Sequence, residues 1–155
     1  MAPRPAAHIR PVELHDHAAW LSLWESQNAF YGREGNTALP SLVTHTTWAR
    51  FFDPAEQLRA LVAERQGELV GLAHYLYHRS TMRLENACYL HDLFILPAQR
   101  RLGIGKALIH AVYAQAARDG AYRVYWLTPS NNTIARALYE QVAEHRDFAI
   151  YHHGL

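Results

Sequence analysis

The sequence predicts an α/β (α+β) domain with helices interleaved among the strands of a sheet. Three observations carry this. Residues 58–64 and 69–78 have strand length and strand-forming side chains on either side of an Arg65-Gln66-Gly67 turn, which makes them a hairpin. Residues 87–96 form a third long strand that stops at Pro97. Residues 105–118 place Ala107, Leu108, Ala111 and Val112 on one helical stripe.

The remaining elements follow in order. Residues 8–12 read as a short first strand, after which Asp16 can cap a helix carrying Trp20, Leu21 and Trp24. Residues 30–41, with Gly32, Gly35 and Pro40, are irregular. A second helix over 44–52 presents Trp48, Phe51 and Phe52 and ends at Asp53-Pro54, because proline disfavours helix in the residue before it. After the hairpin and the third strand, the 105–118 helix closes at Asp119-Gly120. A strand over 122–128, a helix over 133–144 carrying Ile134, Leu138 and Val142, and a last strand over 148–151 complete the chain.

A length of 155 residues suits one domain, 1–155, able to bury about 70% of the surface of its unfolded chain. Half the residues are hydrophobic and only 19% are charged, which excludes intrinsic disorder. A formal charge of +1 is too small for the electrostatic footprint that duplex nucleic acid requires, so no nucleic-acid partner is expected. No apolar run approaches the roughly 18 residues of a membrane span, and the first residues lack the apolar core of a secretory signal. A soluble, cytoplasmic protein without a membrane partner is expected. The single cysteine, Cys88, can form no internal disulfide and is expected to pack as a small hydrophobe. The 11 histidines include no cluster with the spacing of a closed zinc site; only His74 and His78 could converge, and no metal is expected.

The chemistry concentrates after the third strand, where Leu90-His91-Asp92-Leu93-Phe94-Ile95-Leu96 runs into a Gly-rich loop and then a helix. Such a loop aims several backbone N–H groups and the positive end of the helix at one point, which suits phosphate. A Walker loop would need glycine at Arg100 and a hydroxyl at Ala107. A dinucleotide loop would need its third glycine at Leu108. What remains, Arg100-x-x-Gly103-x-Gly105, suits a pyrophosphate bound without a metal.

This loop resembles the acetyl-CoA pyrophosphate loop of the GNAT superfamily of N-acetyltransferases. Asn132-x-x-Ala135-x-x-Leu138-Tyr139 resembles the superfamily's second cofactor block. The resemblance covers residues 58–151 and implies a GNAT fold: a single mixed, largely antiparallel sheet flanked by about four helices. It further implies acetyl-CoA as cosubstrate, held by Arg100, Arg101, Leu102, Gly103, Ile104, Gly105 and Lys106. Main-chain N–H groups of Leu93, Phe94 and Ile95 would serve as oxyanion donors, Asn132 would touch the CoA arm, and Tyr139 would face the sulfur. A homodimer is expected by the same resemblance. Leu-x-Asp-Leu-Phe-Ile is similar to the spermidine/spermine, amino-acid and histone-type subgroup. The polyamine enzymes, however, carry a glutamate base where this chain has His91, so their specificity does not transfer.

Acetyl transfer to an amine requires removal of a proton from an ammonium of pKa about 10. His91, with an ordinary pKa of about 6.5, could relay that proton through water, or could simply be hydrogen-bonded in the sheet. Alternation along a strand points His91 opposite to Asp92, so only one of them would face the amine. Asp92 could attract the ammonium or hold a turn. Tyr139 could protonate the departing thiolate. Trp24, Phe30, Tyr31, Tyr75 and Tyr77 are the aromatic candidates for the acceptor pocket. The expected function is N-acetylation of a primary amine on a small molecule, such as a polyamine or amino acid, by direct attack through a tetrahedral intermediate. The alternatives are a protein lysine or N-terminal acetyltransferase and a non-catalytic CoA-binding sensor.

Overall fold

A computed structural model describes residues 6–155. Strand β1 (His8–Pro11) leads through a 3-10 turn to α1 (His17–Phe30) and α2 (Ser41–Arg50). Then come β2 (Leu58–Arg65), β3 (Glu68–His78), β4 (Ala87–Ile95), α3 (Ile104–Arg118), β5 (Arg123–Tyr125) and α4 (Thr133–Val142). The five strands form one sheet in chain order, antiparallel throughout except for the parallel β4–β5 pair. The hairpin closes on Gln66 and Gly67, whose φ values of 54° and 79° supply the positive-φ pair that a two-residue hairpin loop needs.

Each face of the sheet carries a core. On one, Leu61, Ala73, Tyr75, Cys88 and Leu90 pack against Leu108, Ile109 and Val112 of α3. On the other, Val62, Leu72 and Phe94 pack against Trp20, Leu23 and Trp24 of α1 and Phe51 after α2. Cys88 is fully buried, as its apolar neighbours suggested. Arg10 bridges Asp16 at 2.7 Å and Glu64 at 2.8 Å, tying the start of α1 to β1 and β2.

Several expectations need correction. Asp16 occupies the residue before α1 but does not cap that helix; its carboxylate accepts from the Glu13 N–H and from Arg10, closing the preceding 3-10 turn. The strand expected over 122–128 pairs only through Tyr125, because the chain then turns away from β4. Residues 148–151 form no strand: their β-forming side chains find no hydrogen-bonded neighbour, and Phe148, Ile150 and Tyr151 are exposed. On α4, Leu138 and Val142 pack inward, whereas Ile134 in the first turn lies beyond the core and is 81% exposed.

One irregularity in β4 decides the site. Tyr75 pairs with Leu90 and His74 with Asp92, leaving His91 without a partner, as a β-bulge. An unpaired residue reverses the alternation beyond it. Cys88 and Leu90 before the bulge, and Leu93 and Ile95 after it, all face α3. His91 and Asp92 therefore lie on the same face, where their side chains approach to 3.4 Å. The expectation that they point apart is overturned by this inserted residue.

Candidate active site

The parallel β4–β5 pairing ends at Tyr89 and Tyr125, so β4 runs on with one open edge. The Leu96 N–H bonds Val70 O at 2.9 Å, and antiparallel alternation then turns the Phe94 N–H toward β3. The N–H groups of Leu93 and Ile95 face the open edge. Of the three residues expected as oxyanion donors, only Leu93 both turns its N–H to this edge and lines the cavity beside it. The Phe94 amide is used by the sheet, and its ring is buried on the α1 face.

A cavity of about 220 Å³ sits in this splay, lined among others by Gln27, Tyr31, Arg33, His91, Asp92 and Tyr139. Asp92 is nearly buried and closely held. Gln27 Nε2 donates to its Oδ1 at 3.0 Å, and His74 Nδ1 and His91 Nδ1 lie 2.9 and 3.4 Å from its Oδ2. Burial alone would raise its pKa, but the hydrogen bonds from His74 and His91 outweigh burial and hold the carboxyl well below the usual range. His74 is itself fully buried, and the indole Nε1 of Trp20 donates to its Nε2 at 3.0 Å. Indole can only donate, so His74 Nε2 carries the lone pair and its Nδ1–H points at Asp92. A chain thus runs from Trp20 through His74 and Asp92 to His91. His91 is 56% exposed, and its hydrogen bond with Asp92, opposed by burial, lifts its pKa above the ordinary value.

Tyr139 reaches the same cavity from α4, with its ring 5.3 Å from that of Trp126. Its hydroxyl bonds no described residue, and burial pushes its pKa up, which keeps the phenol protonated. Asn132 serves first as the cap of α4, its Oδ1 accepting from the Ala135 N–H at 3.3 Å, while its amide nitrogen bonds no described residue.

The Gly-rich loop turns through Arg101 (φ 61°) and Gly103 (φ 78°) into α3. The N–H groups of residues 101–106 make no backbone hydrogen bond among the described residues; the first in the ladder is Ala107 N–H to Gly103 O. A Cβ on Gly105 would lie 3.3 Å from Leu138 Cδ2, so glycine lets α3 and α4 close around the loop. Six free amides at a helix N-terminus fit a pyrophosphate. Two side chains of the expected set point elsewhere. Arg100 donates from Nε to Ile95 O at 3.1 Å and stacks 5.1 Å from the Phe30 ring, bracing the loop against β4. Ile104 is buried in the α3 core and offers only its amide.

The acceptor candidates divide. Tyr31 lines the cavity; Phe30 lies beside it, 5.2 Å away, but against Phe94 and Arg100. Trp24 is core, its indole donating to Thr44 Oγ1. Tyr75 and Tyr77 fall on the α3 face, remote from the cavity: Tyr75 is buried and the Tyr77 hydroxyl donates to Asp119. Strand parity put them there, since His74 between them faces α1. Gln27 and Arg33 escaped the sequence reading, and His74 entered it only as a possible metal partner of His78. His74 carried a usable signal, a lone histidine in an apolar strand; Gln27 and Arg33 carried none.

Among the described residues no group of three or more His, Cys, Asp or Glu could hold a metal, and no helix is long and apolar enough to cross a membrane. A free-amide loop for pyrophosphate, feeding a cleft where a sheet edge offers amides beside a histidine and a phenol, defines a CoA-dependent acyltransferase. The chain belongs to the Acetyltransferase (GNAT) family, which it matches over residues 20–143, and is an acetyl-CoA-dependent N-acetyltransferase. It is 35% identical over 145 residues to the D-amino-acid N-acetyltransferase HPA3 of Saccharomyces cerevisiae, covering 92% of this chain and 88% of that one. It is 29% identical over 105 residues to the L-ornithine N5-acetyltransferase NATA1 of Arabidopsis thaliana, covering 66% of this chain and 45% of the relative. The fold is shared with AAC(6')-Iy, solved with a CoA-linked bisubstrate analogue, at a TM-score of 0.81 and 19% identity, over 97% of this chain and 99% of that one.

Proposed function

We propose that this chain acetylates a primary amine of a small molecule by direct attack of the amine on the thioester of acetyl-CoA, with His91 as base and Tyr139 as acid. The observation that carries this is their meeting, with the backbone of Leu93, in one cavity at the open edge of β4. At about 220 Å³ the cavity lies below the roughly 300–1,000 Å³ of pockets for drug-sized ligands, which favours a small acceptor over a protein segment. The two curated relatives, acting on a D-amino acid and on ornithine, point the same way.

Acetyl-CoA supplies the activated acyl group; the free amides of residues 101–106 hold its pyrophosphate. Asp92 fixes the Nδ1–H tautomer of His91, which leaves Nε2 free to take the ammonium proton directly or through water. The N–H of Leu93, which lines the cavity, faces the developing oxyanion. Tyr139, protonated, donates to the leaving sulfur. Release of free CoA thiol in the presence of a panel of small amines tests the reading. Release that no amine accelerates would remove it.

Two expectations arise here. Replacing Gly103 and Gly105 together by Val strains the loop at φ 78° and crowds Leu138, so CoA affinity measured calorimetrically falls at least about tenfold. Unchanged affinity would take the cosubstrate off this loop. The second concerns assembly. Phe148 and Ile150 are exposed and line a cavity of about 960 Å³ with residues of α3, β5 and α4, a face we propose a second copy covers. Removing residues 148–155 then converts a dimer to a monomer in light scattering, and a full-length chain that scatters as a monomer contradicts it.

A further inference from the structure

The cavity carries a cation that the acetyl-transfer chemistry does not use. Arg33 follows α1, where Gly32, at φ 76°, sends its N–H to Ala29 O at 3.0 Å while the Arg33 N–H returns to Asn28 O at 2.8 Å. This is a Schellman closure, and it fixes the direction in which Arg33 leaves the helix. The side chain is fixed a second time: Arg33 Nε donates to Oδ1 of the buried Asn28 at 2.8 Å, with the guanidinium carbon 5.4 Å from the Tyr31 ring centroid. Only Nε is consumed. The two terminal nitrogens form no ion pair or hydrogen bond with any described residue.

The two terminal nitrogens of a guanidinium form a fork that matches a carboxylate in bidentate geometry. Asp92, the acid in the cavity, already accepts from Gln27, His74 and His91 and forms no ion pair with Arg33. The cavity is therefore lined by a carboxylate–histidine pair and, apart from it, by a free guanidinium. That division of charge complements a zwitterion, with ammonium toward Asp92 and His91 and carboxylate toward Arg33. A polyamine would bring a second cation to Arg33 and be repelled.

We propose that Arg33 is a carboxylate anchor and that the acceptor is a free amino acid. The proposal rests on the cavity being the acceptor site. The bidentate fork of arginine holds the carboxylate, and the fixed span between Arg33 and His91 selects which amine of the amino acid is presented.

Alanine, methionine, ornithine and phenylalanine of both hands, each paired with its amino alcohol, test this. Acids are turned over with kcat/KM at least about tenfold above the matching alcohols, and Arg33→Gln lowers that ratio at least about tenfold, chiefly through KM for the acids. Arg33→Lys keeps the charge but loses the fork and falls between. The ratio is internal to each protein, so a partly unfolded variant does not disturb it. A ratio that Arg33→Gln leaves unchanged, or a wild type that favours the alcohols, overturns the anchor. Turnover of no acceptor at all overturns the acetylation reading, and calorimetry then judges the anchor alone. Amino-acid binding to the CoA-loaded protein that Arg33→Gln abolishes supports it; binding that is absent or insensitive to the variant refutes it.

Discussion

Tyr139→Phe lowers kcat by at least about tenfold and leaves acetyl-CoA affinity where it was. The substitution keeps the ring against Trp126 and deletes only the hydroxyl proton. Because that hydroxyl has no partner in the described chain, its loss strands no buried donor or acceptor, and folding is little affected. The effect should be confined to the step in which sulfur departs. Steady-state kinetics beside a CoA titration separates the outcomes: an unchanged kcat removes the phenol from the mechanism, and weakened CoA binding with intact kcat reassigns it to the cosubstrate.

His91→Ala produces the second large effect, and its sign follows from the charge next to it. His91 must be neutral to accept a proton. Its hydrogen bond with Asp92 lifts its pKa and outweighs burial and the opposing charge of Arg33. Wild-type kcat/KM therefore climbs with pH through a midpoint above the ordinary histidine value of about 6.5. The other groups around His91, Tyr89 at 5.4 Å between ring centres and Tyr139 across the cavity, stay neutral there and do not move that midpoint. The variant loses this limb, is slowed at least about tenfold near neutrality, and recovers in part as rising pH deprotonates the amine in bulk solvent. Asp92→Asn removes the charge that raises the midpoint and shifts the limb to lower pH. Profiles of wild type and His91→Ala that run parallel would make His91 structural.

The parts of the site that could be read without coordinates are those written in contiguous residues. The unbonded amides of residues 101–106 are a matter of backbone geometry, and the spacing of Gly103 and Gly105 states that geometry directly. The place of Tyr139 on a helix was legible because Asn132, Ala135 and Leu138 sit at helical intervals before it. The opposite holds for the acceptor pocket. Tyr75 and Tyr77 are the same residue type as Tyr31, but they sit in β3 on the α3 face whereas Tyr31 ends α1 beside the cavity, and parity in a strand cannot be assigned until its neighbours are known.

Local pattern by itself determined that β2 and β3 form a hairpin, that a Gly-rich turn separates β4 from α3, and that Cys88 packs inside. Each depends on interactions within a few residues: turn dihedrals, helix-end amides, a run of apolar side chains. Only the tertiary structure decided that His91 and Asp92 lie side by side on one face. The bulge that aligns them exists because β3 pairs with β4 on both sides of an unpaired residue, and that register is a property of two strands at once. The same is true of Trp20, His74 and Arg33, brought to the site from α1, β3 and the turn after α1. A hydrogen bond between residues 54 positions apart, such as Trp20 to His74, leaves no periodicity in the chain, because what selects it is the packing of a helix on a sheet.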